Sequence, residues 1–372
     1  MSSQTPESSS PVTSVAAPRA ANPLASLRQF DWHQYVVYIG FVLLFLFFAI
    51  TQYSAGFLHA NNLLNIIRQT AIISVMAVAM TFVIGAGEID LSVGRAAGLA
   101  SVAAALTIDR FGIAGGIVAG LSAGLIVGLV NGLLVTRVGI PSFLVTLGMM
   151  GVAQGAAMWI TATAPVPILN DTYNNIFGSG QLGPIPSLFI WTMVVLVVGH
   201  VVLRKTPYGR QVLATGGNEA AARFTGVRTR NIKLTALVVS SMVAALAGML
   251  YAGRLHSGRF QWGEGDELSV IAAVILGGTS LFGGTGSIMG SVLGSLLIGL
   301  INNGLILAGL ELSQQLIIRG AIIILSVALA RRTPRGGRER MAWNLFGYRR
   351  FPANWNGSMR PWIGAWRAAN AW

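Results

Sequence analysis

The sequence predicts an all-α fold, a polytopic membrane bundle of about ten transmembrane helices with both termini cytoplasmic. Three observations predict it. Of 372 residues, 53% are hydrophobic and only 10% are charged, well under half the roughly 25% charge of a typical soluble domain. Stretches of about 20 residues with few or no charges recur along the chain, each long enough to cross the hydrocarbon core of a bilayer. The 25 basic residues, against 12 acidic, then fall mostly on one side of the layout these stretches define. A mean hydropathy of +0.66 leaves no soluble body to carry a nucleic-acid-binding face, so the excess of positive charge reports topology and no nucleic-acid partner. The chain has no cysteine, which excludes disulfides, thiolate catalysis and cysteine-based metal sites.

Residues 1–30 read as a disordered cytoplasmic tail, rich in Ser, Pro, Thr and Ala and without an apolar run. No cleaved secretory signal is read there, because the first apolar core starts only after Trp32. The transmembrane domain is placed at 31–330. Its first span centres on Tyr35 to Ile50 between the aromatic anchors Trp32 and Tyr53. Further spans are placed near Leu63–Ile84, Ala96–Ile108, Phe111–Val135, Phe143–Thr161, Leu188–Leu203, Leu234–Gly253, Leu268–Leu276, Ile288–Leu310 and Leu312–Ala330. The 43 residues from Leu268 to Leu310 carry no charge, twice the length of one crossing, and the glycine-rich centre Gly277–Gly286 splits them into two segments. Such a break at membrane depth must be buried in protein or line a cavity. With the N-terminus inside, twenty of the 25 basic residues lie on the inner side, including Arg95, Arg137, seven from Arg204 to Lys233 and nine from Arg331 to Arg367.

Glycines at 112, 116, 120, 124, 128 and 132 recur every fourth residue. Each step of four advances about 40° around a helix, so the set sweeps roughly 200° and offers close approach to at least two neighbours. Ser240, Ala244, Gly248 and Ala252 form a similar line, as do Ser287, Ser291, Ser295 and Gly299. Ordinary bundle packing accounts for all three.

The chemistry begins with absences. No phosphate-binding G-x-x-x-x-G-K-[ST] loop is present, so the chain is no ATPase by that route and binds no cofactor of its own. Its four histidines are too scattered for a metal site. The charge-free spans contain no carboxylate of the kind that an ion-coupled carrier buries. Two polar clusters remain. In the first, Gly85 to Arg95, Glu88 and Asp90 stand two residues apart among glycines and precede Ser92. Either Asp90 caps a new helix, or the segment is a gate or part of the solute path. In the second, Thr206 to Val227, Asn218 can cap a short helix that begins at Glu219 and stops at Gly226. So short a helix needs docking to be ordered, on its own bundle or on a cytoplasmic partner.

At these residues the chain resembles the permease subunits of bacterial ABC importers for sugars, the ribose, xylose and arabinose transport type. Residues 87–94, Gly-Glu-Ile-Asp-Leu-Ser-Val-Gly, resemble that family's G-G-I-D-L-S-V-G signature, with Glu88 standing where glycine is usual. Gly216 to Arg223 resemble its coupling loop, and Ala272 to Ser287 its late glycine-rich segment. The resemblance covers about Tyr35 to Ala330. It implies a second permease subunit, a cytoplasmic ABC ATPase that holds ATP and magnesium, and a periplasmic or lipid-anchored sugar-binding protein. It also implies an ATPase-coupling loop at 204–233 that uses Gly217, Asn218, Glu219, Ala220, Ala221, Arg223 and Gly226, in the inner membrane of a bacterium. Permeases for inositol, autoinducer sugars or branched-chain amino acids are the neighbouring alternatives, and a secondary carrier is a rival from another class.

Candidates for a gate or translocation path are Glu88, Asp90, Ser92, Asn131, Asn302 and Asn303. Each of the three asparagines lies in an otherwise apolar span, where an amide must find a partner, and the surroundings of Asn131 and Asn302 suggest a weak internal repeat. Interhelical hydrogen bonds without solute contact are the alternative. Residues 331–372, with nine arginines and five of the nine tryptophans, suit either a basic segment lying on an anionic inner leaflet or an extension without a role.

Overall fold

The computed structural model describes residues 36–331, so the expected tails lie outside the described residues except for Arg331. The compact unit discussed below ends at Val327. Its helices are α1 (Val36–Thr51), α2 (Ala60–Gly85), α3 (Val93–Leu133), α4 (Ser142–Thr161), the short α5 (Asp171–Asn174), α6 (Ser187–Lys205), α7 (Pro207–Gly217), α8 (Glu219–Phe224), α9 (Thr229–Leu255), α10 (Asp266–Leu276), α11 (Ile288–Leu307) and α12 (Leu312–Arg331). Four two-residue strands lie in the loops: β1 (Val166–Pro167), β2 (Gln181–Leu182), β3 (Ile185–Pro186) and β4 (Ser257–Gly258). β1 pairs antiparallel with β4, which ties the α4–α6 connection to the end of α9. Among the described residues, six helices, α2, α3, α4, α6, α9 and α11, are long and apolar enough to cross a membrane.

The longest of the six is folded back on itself. Gly112 has φ 68° and ψ −172°, a conformation open to glycine alone, and it breaks α3 into arms 93–111 and 113–133. The arms run antiparallel: a Cβ on Gly116 would meet Ile108 and the Ala104 carbonyl, one on Gly120 the Ala100 carbonyl, and Asn131 reaches Ser92. Each arm is about 30 Å long, the thickness of the hydrocarbon core. The spans expected at Ala96–Ile108 and Phe111–Val135 are therefore these arms, and Gly112, expected inside the second span, is their turn, outside the packing stripe.

The remaining glycines pack as their spacing requires. Gly116 and Gly120 face the first arm, while Gly124, Gly128 and Gly132 press against Ser241, Val238 and Leu234 of α9. The line on α9 packs against the first arm of α3, where Gly248 stands over the Ala97 carbonyl. The line on α11 meets α2: Ser291 pairs with Thr81 at 2.8 Å and Ser295 with Ser74 at 2.6 Å. Gly299 lies on Thr70. Hydroxyl pairs of this kind satisfy polar groups between helices that have no water to turn to.

Two non-helical segments enter the bundle from opposite ends. Residues 86–92 descend from the end of α2 until Asp90 meets Ser240, the twelfth residue of α9, about 16 Å along that helix. Residues 257–265 turn back from the far end of α9 along the first arm of α3. Ser101 Oγ donates to the Arg259 carbonyl at 3.1 Å, and the backbones of Gly94 and Gly263 touch. Irregular backbone at this depth is tolerated only because protein surrounds it.

Candidate functional site

The loop 86–92 first closes on the last turn of α2, with the Glu88 N–H on the Val83 carbonyl at 3.0 Å; beyond Glu88 it has no ladder, so neighbouring side chains satisfy it. From α4, Ser142 Oγ accepts the Ile89 N–H at 3.1 Å and Thr146 Oγ1 the Leu91 N–H at 3.1 Å. Asp90 is fully buried. Its Oδ1 accepts from the Ser92 N–H at 2.9 Å and Ser92 Oγ at 2.6 Å, and its Oδ2 from Ser240 Oγ at 2.9 Å. Ser92 Oγ in turn accepts from Asn131 Nδ2 at 2.9 Å. Asp90 thus shapes the turn and anchors it to α9; the residue that begins the helix is Ser92. Three carboxylates, Glu88, Asp90 and Glu267, are buried among membrane helices. The expectation that the bundle interior held none is corrected: the re-entrant loop 86–92 carries Glu88 and Asp90 there, and Glu267 enters on the first turn of α10.

The inner-loop motif forms two helices. Thr206 and Pro207 start α7, with Thr206 Oγ1 accepting the Gly209 N–H at 3.3 Å. Asn218 Oδ1 then accepts the Ala221 N–H at 3.0 Å and starts α8. The expected cap and its helix are both in place, and the helix ends before Gly226. Ala222 turns inward, whereas Ala220, Ala221, Arg223 and Phe224 face out, Phe224 with 93% of its surface exposed. Glu219 faces the bundle. Its Oε1 accepts from Arg223 and, at 3.1 Å, from Thr229 Oγ1; its Oε2 lies 2.8 Å from Lys233 Nζ. Burial works against its ionisation, but the hydrogen bonds from Lys233 and Arg223 outweigh that and hold its carboxyl below the usual range.

Lys233 also lies 2.7 Å from Glu88 Oε1, so one ammonium joins the first motif to the second. The third motif meets them at the same end. Gly283 and Gly284 pack on Gly216 and Gly217, and the Gly284 N–H donates to the Gly85 carbonyl at 3.1 Å. Three segments far apart in sequence therefore share one backbone contact.

The asparagines separate. Asn131 is fully buried in the Asp90 cluster, and its Oδ1 has no partner among the described residues. Asn303 exchanges two hydrogen bonds with Asn62, at 2.8 and 3.0 Å, clamping the end of α11 to the start of α2. Asn302 is half-buried on the same turn. Arg95 is not a loop arginine, as the charge count had it; it is buried and lies 3.1 Å from Glu264 in the re-entrant segment 257–265. Sequence reasoning missed Lys233, Ser240, Ser142 and Thr146. Lys233 carried one signal, being one of only two lysines in the chain; the hydroxyls carried none.

Residues 62–327 match the family model described as branched-chain amino acid transport system / permease component. The ribose import permease protein RbsC of Bacillus subtilis (strain 168) is 40% identical over 279 residues, 74% of this chain and 87% of the relative. The protein of the same name from Escherichia coli (strain K12) is 37% identical over 292 residues, 77% and 90% of the two chains. The L-arabinose ABC transporter permease protein AraH of Azospirillum brasilense is 36% identical over 325 residues, 85% and 94%. No solved structure matches the chain. With six apolar helices long enough to span a bilayer, the chain is a multi-pass protein of the bacterial inner membrane. It belongs to the family of branched-chain amino acid transport system permease components, in the company of its sugar-import permeases.

Proposed function

We propose that this chain is the membrane-spanning permease subunit of an ABC importer that carries a monosaccharide of the ribose or arabinose kind, driven by ATP hydrolysis on a separate subunit. The observation that carries the coupling is α8. This capped helix of six residues stands at the end of the bundle, is held from behind through Glu219, and presents Ala220, Ala221, Arg223 and Phe224 outward. An isolated helix so short is not stable in water, and an exposed phenylalanine beside small residues suits a groove on a partner. The names of the relatives supply the substrate class.

In this reading the α7–α8 end faces the cytoplasm and meets an ABC ATPase that holds ATP and magnesium. A second permease subunit completes the path, and a sugar-binding protein delivers solute to the opposite end. Ten crossings with both termini inside follow if the two arms of α3 each count as one and α1, α10 and α12 join the remaining five long helices. The solute path runs past the discontinuous segments 86–92 and 257–265, as broken helices at a repeat interface favour. Asn131, with an open acceptor beside Ser92 and Asp90, lies on it.

The test is reconstitution in liposomes with the cognate ATPase and binding protein, scored by ATP-dependent uptake of labelled D-ribose, L-arabinose and L-leucine. Pentose uptake supports the proposal. Leucine uptake alone would favour the description of the family model, and pentose uptake without the ATPase would mark a secondary carrier.

A further inference from the structure

The salt bridges of Lys233 connect two segments to which the proposed function gives separate tasks. We infer that Lys233 is a positioning residue, a charged pin through which movement of α8 is passed to the buried loop 86–92. The inference rests on reading α7–α8 as the ATPase-coupling loop.

The contacts form an almost unbroken chain. Glu219 at the start of α8 meets Lys233 at 2.8 Å, and Lys233 meets Glu88 at 2.7 Å. Two residues further on, Asp90 binds Ser92 and Ser240, and Ser92 binds Asn131. Glu88 and Lys233 keep only 10% and 18% of their side-chain surface exposed, and Glu219 keeps 33%. Charges balance, with Glu88 and Glu219 against Lys233 and Arg223. A buried ion cannot give up its partner without a large penalty. When a partner displaces α8, the pin therefore either carries Glu88 with it or leaves a buried charge unpaired. Glu88 stands at the border of the part of this cluster that can yield: its own N–H still closes on the Val83 carbonyl of α2, whereas residues 89–92 beyond it are held by side chains, among them the hydroxyls of α4, and not by a backbone ladder. Coupling of this kind needs a discrete element that both sites bias, and this loop supplies it.

The backbone contact of Gly284 with Gly85 is a second link between the same regions. It survives any change at position 88, which makes Glu88→Gln the discriminating variant: Lys233 keeps Glu219, α8 stays seated, and only the step to the loop is cut. In the complex reconstituted with ATPase and binding protein, hydrolysis by Glu88→Gln is expected within about twofold of the parent while solute moved per ATP falls at least about fivefold, and Lys233→Arg, which keeps the charge, stays within about twofold on both. Because the chain has no cysteine, Ile89→Cys provides a single reporter in the loop. Its maleimide labelling rate should change when nucleotide is trapped with vanadate, and that change should vanish in the Glu88→Gln background. Should Glu88→Gln lower the melting temperature, Glu88→Ala with Lys233→Met removes both charges together and should lose the same nucleotide response. Normal solute per ATP in Glu88→Gln, or an unaltered nucleotide response at Ile89→Cys, overturns the pin. If Asn218→Ala and Phe224→Ala also leave ATPase association and uptake at parent levels, the coupling-loop reading itself has failed; if they impair association while Glu88→Gln is normal, only the pin has.

Discussion

Ser240 Oγ donates a 2.9 Å hydrogen bond to Asp90 Oδ2, fastening the fully buried carboxylate of a re-entrant loop to the middle of a membrane helix. Removing one donor from a buried charged acceptor costs about 1–3 kcal/mol. Ser240→Ala should accordingly lower the thermal stability of the detergent-solubilised protein. Asp90→Ala should lower it further, since it strands Ser92 and Ser240 together and loosens the turn that holds Asn131. Melting curves of the two variants beside the parent check the order; equal stability of Asp90→Ala and the parent would show that the cluster does not hold the loop.

Asn303 and Asn62 answer each other's amides, and neither is placed in the Asp90 cluster. Interhelical hydrogen bonds of this type are worth about 0.6–2 kcal/mol in a membrane protein. Asn303→Ala should lose that much stability and keep uptake per folded molecule, whereas Asn131→Ala should lose uptake. Uptake lost by Asn303→Ala at unchanged stability would move that residue onto the solute path.

How much of this was legible in the sequence depends on where the signal lay. The bundle was legible because apolar runs of membrane length need no long-range information, and Asn218 was legible as a cap because capping is local. The depth of Asp90 was not. Locating spans by their freedom from charge assigns every carboxylate to a loop, and it has no means of seeing that residues 86–92 and 257–265 return into the bundle. Arg95 was counted as an inner-loop charge for the same reason. The pairing of Lys233 with both Glu88 and Glu219 spans 145 and 14 residues, and only the fold brings the three together.

Phe224 is 93% exposed at the end of α8, and no neighbour in the bundle explains its size. Phe224→Ala should leave folding and membrane insertion intact and weaken binding of the ATPase, read as a lower yield of ATPase co-purifying with the permease. Asn218→Ala acts on the same step through the helix, at a cost of about 1 kcal/mol for a lost cap. Unchanged co-purification of both variants would separate α8 from the ATPase interface.

The folded protein holds the Glu219 carboxyl below the usual carboxylate range, because its bonds from Lys233 and Arg223 outweigh its burial. A depressed carboxylate stabilises the fold fully above its unfolded value and loses that contribution as pH falls through the folded one. The melting-temperature gap between the parent and Glu219→Gln should therefore stay constant between about pH 6 and 8 and close only below about pH 4.5. A gap that changes between pH 6 and 8 would mean that the ion cluster titrates at physiological pH.

The contact of the re-entrant segment 257–265 with the start of α3 depends on bare backbone. A Cβ on Gly94 would lie 2.1 Å from the Gly263 carbonyl oxygen and 2.6 Å from Glu267 Oε2, closer than atoms can approach. The carbonyl belongs to a segment also tied to the first arm of α3 through Ser101 and Arg259, so it has little freedom to withdraw. Gly94→Ala should cost several kcal/mol, in the range of severe core overpacking, and prevent recovery of folded protein. Gly148→Ala on α4, where a Cβ would meet nothing within 4 Å, is the matched control and should behave as the parent. Size-exclusion profiles of the two variants decide the matter: a monodisperse Gly94→Ala protein with parent-like melting would mean that the segment 257–265 and the start of α3 do not touch at Gly94 and Gly263. A collapsed Gly94→Ala beside an intact Gly148→Ala would fix this contact as the point where the segment 257–265 depends on the first turn of α3, directly after the loop 86–92.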